Sequence, residues 1–359
     1  MAMVKEFSVV ELRRRFANAF PPRPLLYWSD LCCSAGVGWG AFVLAVQSPP
    51  GGLVHLTALA VAVIALLRAA IFIHEITHLR TGALPGFAIV WNLVVGFPFL
   101  LPSLMYVGSH NDHHRQITFG TIHDPEYAPL ARWSTGRLLW FVLALVFVPA
   151  LLILRWGVLG PVSFFIAPLR RFLIARASTL AINADYRRPL PRGKQATDWV
   201  VQEVAVVLTC WGMAASLYLG WLSFSWLVHW SVVATAILMV NQIRTLAAHR
   251  YDNDGAQVDV SAQLLDSVTL SGWVFPTVLA APVGLRFHAL HHVLPTVPYH
   301  SLGAVHRLVL AEFPSGSPYQ QTQERGIWAA ILTLLRTSQV ANAVVNPSVE
   351  MTRRAQRNT

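Results

Sequence analysis

Charge is what this 359-residue chain has least of. Only 12% of its residues are Asp, Glu, Lys or Arg, against about 25% in ordinary soluble domains. That shortage argues against a protein bathed by water on every side. Cysteine is scarce too. Cys32, Cys33 and Cys210 all lie inside apolar stretches, which suits small buried hydrophobes and indicates neither a disulfide framework nor a cysteine-built metal site. Basic runs interleaved with aromatics, the mark of a soluble nucleic-acid module, are missing, so no nucleic-acid partner is expected. The first residues carry Glu6, Glu11 and the run Arg13-Arg14-Arg15 and lack the apolar centre and cleavage site of a signal peptide. There is no low-complexity segment.

What the chain has in excess is apolar surface. Hydrophobic residues make up 55% of it, and the mean hydropathy is +0.50. The net charge of +10 comes from Lys and Arg that flank apolar stretches, as expected for contact with anionic lipid headgroups. Four stretches, near 27–48, 52–73, 198–220 and 222–247, reach the length of about 20 apolar residues that a spanning helix needs. Pro49-Pro50-Gly51-Gly52 joins the first pair by a tight turn, and a short connection around Trp221 joins the second. Two further apolar stretches, 84–106 and 138–168, are interrupted by Pro85, Pro98, Pro102, Pro149, Pro161 and Pro168. They are read as re-entrant or interfacial, and 169–180 as an amphipathic segment along the lipid surface.

The expected architecture is therefore an all-α integral membrane fold of four transmembrane helices, with interfacial helices and a cytoplasmic helical cap. Residues 1–26 form a cytoplasmic N-terminal segment, 27–249 the membrane unit, 250–350 the cap and 351–359 a disordered tail. The excess of Lys and Arg in the N-terminal segment, the 74–197 connection and the last third places these on the cytoplasmic side of what is expected to be a bacterial inner membrane.

Histidine is the other excess. Of fourteen, nine form a recurring pattern: His74 and His78 in His-Glu-Ile-Thr-His, His110, His113 and His114 in His-Asn-Asp-His-His, the lone His249, and His288, His291 and His292 in His-Ala-Leu-His-His. Positions i, i+3 and i+4 share one helix face, so each triplet can turn three imidazoles, the commonest metal-binding side chains, toward one point. Nine ligands are too many for one ion and suggest two, with four or five each. Nitrogen ligands alone suit iron, zinc, copper or nickel. His-Glu-x-x-His by itself also fits a zinc protease with the Glu as general base.

Together the three boxes resemble those of the membrane fatty acid desaturase superfamily, and His249 resembles the extra ligand near its fourth helix. His113-His114-Arg115, Phe119-Gly120-Thr121 and Asp124-Pro125-Glu126-Tyr127 are similar to the segment after box two in sphingolipid-type and bacterial acyl desaturases. Leu294-Pro295-Thr296-Val297-Pro298-Tyr299-His300 is similar to the segment after their third box. The resemblance covers about residues 50–310. It implies two Fe(II) ions, with zinc as a possible substitute, that use O2 and external electrons to take hydrogen from a methylene of a fatty acyl or other lipid chain. Loss of a second hydrogen gives a desaturase, the main expectation; oxygen insertion gives a hydroxylase or ketolase. Two features depart from relatives: Thr245 stands where stearoyl-CoA desaturases have a water-linked Asn, and the Glu-His-x-x-Gly-His-His box of alkane hydroxylases is absent. No fused cytochrome b5 motif is visible, so the donor is expected to be a separate ferredoxin or cytochrome b5 type protein.

Glu75, Asp112 and Asp124, with Asp252 and Asp266, are the carboxylates expected to orient ligand imidazoles. Trp91, Trp140 and Trp273 are candidate channel-lining residues, though a place in the core or as interfacial anchors is the preferred expectation for each. His123, His300 and His306 are read as supporting or cap residues, and His55 and His229 as non-ligands near the opposite membrane face. Two rival functions remain at this point. An intramembrane zinc protease would use Asp252 or Asp254 as third ligand and leaves both triplets unexplained. A metal transporter would place its ligands near the bilayer midplane.

Overall fold

The computed structural model describes residues 7–272, 274–313 and 315–345. The expected tail at 351–359 and Trp273 lie outside the described residues.

A short amphipathic helix comes first, α1 (Val9–Phe16), capped by the Ser8 hydroxyl, which accepts from the Glu11 N–H. Two long apolar helices follow, α2 (Pro24–Gln47) and α3 (Leu53–His78). Pro24 opens α2, where its missing N–H costs nothing. Gly51, at φ +78, makes the turn between them. They pack closely at Gly38, where a Cβ would meet Leu66 Cγ at 2.5 Å. A partly buried ion pair ties them as well: Arg68 donates to both Asp30 oxygens at 2.5 and 2.7 Å.

The next apolar stretch is too short to cross. It forms α4 (Phe87–Trp91) and a π-turn, Asn92–Gly96, and then folds back as Asn92 bonds Ser103 through both amide atoms. Trp91 is core rather than channel lining: it is buried, and its indole N–H donates to the Ala69 carbonyl. Trp140 is 60% exposed. Helix α5 (Ser109–His114) carries the second box.

Among the described residues, five helices are long and apolar enough to cross a membrane, one more than the four spans counted from the sequence. The addition is Thr135–Ser163, built from α6 (Thr135–Leu143), a 3-10 turn, α7 (Val148–Leu154), a π-turn and α8 (Gly160–Ser163). Its prolines do not break it, because Pro149 and Pro161 each fall in a first turn next to a 3-10 or π adjustment. Its packing nevertheless agrees with a re-entrant course. Leu138 joins Leu246 and Tyr251 at the histidine end of the bundle. Arg155 already reaches the Ala177 carbonyl and Ser178, and the Ser178 carbonyl in turn accepts from Arg188, which also binds the Val107 carbonyl just before α5. Then come α9 (Ala167–Arg176), α10 (Lys194–Tyr218) and α11 (Phe224–Leu246).

At the far end of the bundle the starts of α3 and α11 meet. His55 Nε2 and His229 Nε2 lie 3.0 Å apart, while His55 Nδ1 accepts from Gly51 N–H and His229 Nδ1 donates to the Ser225 carbonyl. The complementary tautomers make one neutral hydrogen bond.

The remaining elements cover the histidine end. They are α12 (Val260–Asp266), β1 (Thr269–Leu270), α13 (Val274–Ala280), α14 (His288–Val293), α15 (Tyr299–Glu312), α16 (Pro318–Gln321), β2 (Gln323–Glu324) and α17 (Ile327–Val345). The two strands pair in parallel, Thr269 with Gln323 and Leu270 with Glu324. Helix α1 belongs to this layer: Leu12 and Phe16 share a buried cluster with Leu290, Val293, Val305 and Val309, and Arg13 donates to the Val293 carbonyl.

Candidate metal centre

All nine expected histidines converge. His74, His78, His110, His114 and His291 form one group, and His113, His249, His288 and His292 form another; within each, the ligand atoms lie within 4.8 Å of one another. The first box sits on the last turn of α3, the second on α5, the third on α14, and His249 three residues beyond α11. The groups are neighbours, for the rings of His114 and His292 stack at 4.4 Å.

Carboxylates fix three of the rings. His113 Nδ1 is 3.0 Å from both Asp124 oxygens, and that carboxylate also accepts from the Gly120 and Glu126 N–H groups. His249 Nδ1 is 2.9 Å from Asp266, whose other oxygen accepts from the Tyr127 hydroxyl. His110 Nδ1 is 2.6 Å from Glu126 and 2.8 Å from the Tyr106 hydroxyl. A proton held at Nδ1 leaves Nε2 as a bare lone pair.

The Nε2 atoms of the two groups face one another. Nε2–Nε2 separations are 3.2 Å for His249–His113, 2.8 Å for His288–His249, 3.1 Å for His292–His288, 3.0 Å for His114–His110 and 3.1 Å for His291–His78. His113 and His249 both rest Nδ1 on a carboxylate, so between these two rings a pair of lone pairs meets, and a cation there would relieve the repulsion. Protons are a poor solution, since burial pushes His110, His114, His288, His291 and His292 well below the usual imidazole range. Burial also pulls on His113, but Asp124 outweighs it and the net shift is upward. Several protonated rings about 4 Å apart would repel by about 4 kcal/mol per pair. Both nitrogens of His74 and the Nδ1 atoms of His114, His288 and His291 are buried without a partner. Two cations shared among nine rings suit this donor set.

The carboxylates expected from the sequence divide. Asp124 and Asp266 stand behind ligand-group rings. Glu75 does not: it accepts from the Tyr27 hydroxyl and, at 3.2 Å, from the Tyr299 N–H. Asp112 binds Arg115 and the Tyr186 hydroxyl. Asp252 is exposed, and Asp254 pairs with Arg132 at 3.6 Å, so neither supplies the third ligand a zinc protease would need. Thr245 is no ligand substitute either; its hydroxyl donates to the Asn241 carbonyl and accepts from Arg244. Of the supporting histidines, His300 accepts from the Arg23 N–H and His306 contacts the Tyr319 hydroxyl at 2.7 Å, both in the covering layer, while His123 is exposed.

Glu126, Tyr106 and Tyr127 were not picked out by sequence reasoning. Glu126 and Tyr127 belong to the Asp124-Pro125-Glu126-Tyr127 run, where alternate residues turn back toward box two. Burial above all pushes the Glu126 carboxyl up to about 7.

The fatty acid desaturase family matches residues 50–323, a span that contains every histidine of both groups. A ceramide hydroxylase of Caulobacter vibrioides is 39% identical over 346 residues, covering 95% of this chain and 98% of that protein. No solved structure matches.

Proposed function

The chain belongs to the fatty acid desaturase family, and we propose that within it this protein is an O2-dependent membrane hydroxylase acting on a methylene of a ceramide-like lipid. It is an integral membrane oxidoreductase whose family acts on lipids. The hydroxylase reading replaces desaturation, the main sequence expectation, because the relative that matches along nearly its whole length is a hydroxylase. The observation that carries the site assignment is the convergence of nine imidazoles, several of them Nε2 to Nε2, in two groups of five and four. His74, His78, His110, His114 and His291 would hold one iron, and His113, His249, His288 and His292 the other.

Two irons bound there would supply the activation of O2 and the capacity to break an unactivated C–H bond. The balance is one methylene C–H and one O–O bond broken, a C–OH bond formed, and the second oxygen released as water. Two electrons come from a separate ferredoxin or cytochrome b5 type protein, and two protons from solvent. Asp124, Asp266 and Glu126 hold the protons at Nδ1 that keep His113, His249 and His110 ligating through Nε2. Phe119 packs against His113, His249 and His292 and keeps water from that side. The basic loops beside the histidines support a cytoplasmic location for this end, in a bacterial inner membrane.

The test is lipid mass spectrometry of cells making the protein, with iron counted on the purified enzyme. Gain of one oxygen on a ceramide-type lipid and two irons per chain are expected. Loss of two hydrogens instead would restore the desaturase reading; a single zinc and no lipid product would end both.

A further inference from the structure

Two clefts open onto the ligand histidines, and their linings differ in chemistry. The larger, about 140 Å³, ends on His78, Glu75 and Tyr27. Phe20, Pro22, Leu79, Pro295 and Val297 wall it, and the exposed residues Asn18, Arg80 and Thr296 stand at its mouth. The smaller, about 90 Å³, touches His249 and mixes apolar Val268, Ala330 and Leu334 with Arg250, Asp252, Glu324, Thr333 and Thr337. A methylene chain in the smaller cleft would strip water from three charged groups whose one ion pair, Arg250–Glu324, is 3.6 Å long, and that desolvation is unfavourable. The larger cleft would instead cover apolar wall, worth about 25 cal/mol for each Å² removed from water.

Position favours the larger cleft as well. It lies where α2 begins and α3 ends, at the boundary of the membrane unit, and Leu25 in the first turn of α2 is 81% exposed. His78 and His114 are the only half-buried members of the five-histidine group, and the other group is wholly buried. The cleft therefore meets the cluster at one of its two accessible ligands. Across its mouth, Arg80 donates to the Asn18 side-chain oxygen and the Thr296 hydroxyl donates to the Ala17 carbonyl. Both contacts tie the N-terminal segment over the opening, and both are hydrogen bonds that a hydroxyl- and amide-bearing headgroup can exchange for its own.

We propose that the lipid enters through this cleft from the membrane boundary, its chain between Phe20–Pro22 and Pro295–Val297, its oxidised carbon toward His78, and its polar head held by Asn18, Arg80 and Thr296. The proposal rests on the reading of the protein as a lipid-oxidising enzyme and adds the binding site and the residues that select the headgroup.

The experiment uses the full chain in lipid nanodiscs, without added metal, and two photoreactive probes that carry a diazirine at mid-chain: a ceramide and a free fatty acid. Cross-links should map to segments 17–30, 75–84 and 293–299. Ala83→Trp, which fills the cleft, should cut labelling about tenfold, equivalent to about 1.4 kcal/mol of binding, while two irons per chain are retained on loading. Thr296→Trp, which intrudes from the other side, should do the same and guards against a folding defect at Ala83. Arg80→Ala should raise KM for the ceramide about tenfold and lower kcat far less, with little effect on fatty-acid labelling. Cross-links at the Arg250–Glu324 cleft, labelling by neither probe, or wild-type labelling in both Trp variants would overturn the proposal. An olefin product with the same cross-link map would sink the hydroxylase reading and leave the cleft assignment standing.

Discussion

Which nitrogen an imidazole offers is decided one carboxylate at a time. Asp124→Asn or Asp266→Asn removes the anion that holds a proton at Nδ1 of His113 or His249. Each should weaken iron retention 10- to 100-fold by competition with a chelator; unchanged retention in both would contradict the role given to them. His113→Ala or His291→Ala should abolish turnover and leave the protein in the membrane fraction, as checked by activity and immunoblot of sedimented membranes. The histidines were legible in the sequence because i, i+3, i+4 spacing fixes a shared helix face. The supporting carboxylates were only half legible, for the same geometric reason. Glu75 and Asp112 lie inside the boxes, next to ligands along the chain, but neighbours on a helix point about 100° apart, so their side chains turn toward Tyr27 and Tyr186 instead. Glu126 reaches His110 from sixteen residues away through a loop whose path no periodicity describes.

At the scale of the element, the long spans follow from apolar length, and their ends fall within a few residues of where composition puts them. Thr135–Ser163 shows the limit of proline as a signal: local 3-10 and π turns absorb it, so the segment stays helical while its course depends on contacts with α10, α11 and Ser178 that lie far away in sequence. The covering layer has a titratable joint of its own. Burial, with help from Arg286 and Arg307, pushes His306 down to about 4 from 6.5. The unfolded chain takes up that proton first, so the stabilisation is complete above about pH 6.5, falls as pH drops toward 4, and levels off below. His306→Gln should flatten the melting temperature across that window relative to wild type, as read by nano-differential scanning fluorimetry. Metal removal should loosen the same layer. With no cation between the Nε2 atoms, α5 and α14 lose the link that joins them to α3, and hydrogen exchange in both helices should rise in chelated protein.

For the whole molecule, hydrophobicity and loop charge gave the environment, and the clustering of histidine gave the chemistry. Neither distinguishes adding oxygen from removing hydrogen, since both outcomes share the first broken C–H bond; the hydroxylase reading proposed above leans on a relative that is a ceramide hydroxylase. Orientation can be checked directly. Single cysteines introduced at Gln116, beside the second box, and at Trp221, in the short α10–α11 connection, should react with a membrane-impermeant maleimide from opposite sides of inverted vesicles, provided Cys32, Cys33 and Cys210 are first replaced. Labelling of both from one side would refute the topology.

The bond between His55 and His229 has a bearing on the opposite end of the molecule. Helix α3 delivers His74 and His78, and α11 leads to His249, so the bridge anchors the tails of two levers whose tips carry ligand-group histidines. The relative placement of the two histidine groups is thereby braced by one contact at the remote end of the bundle.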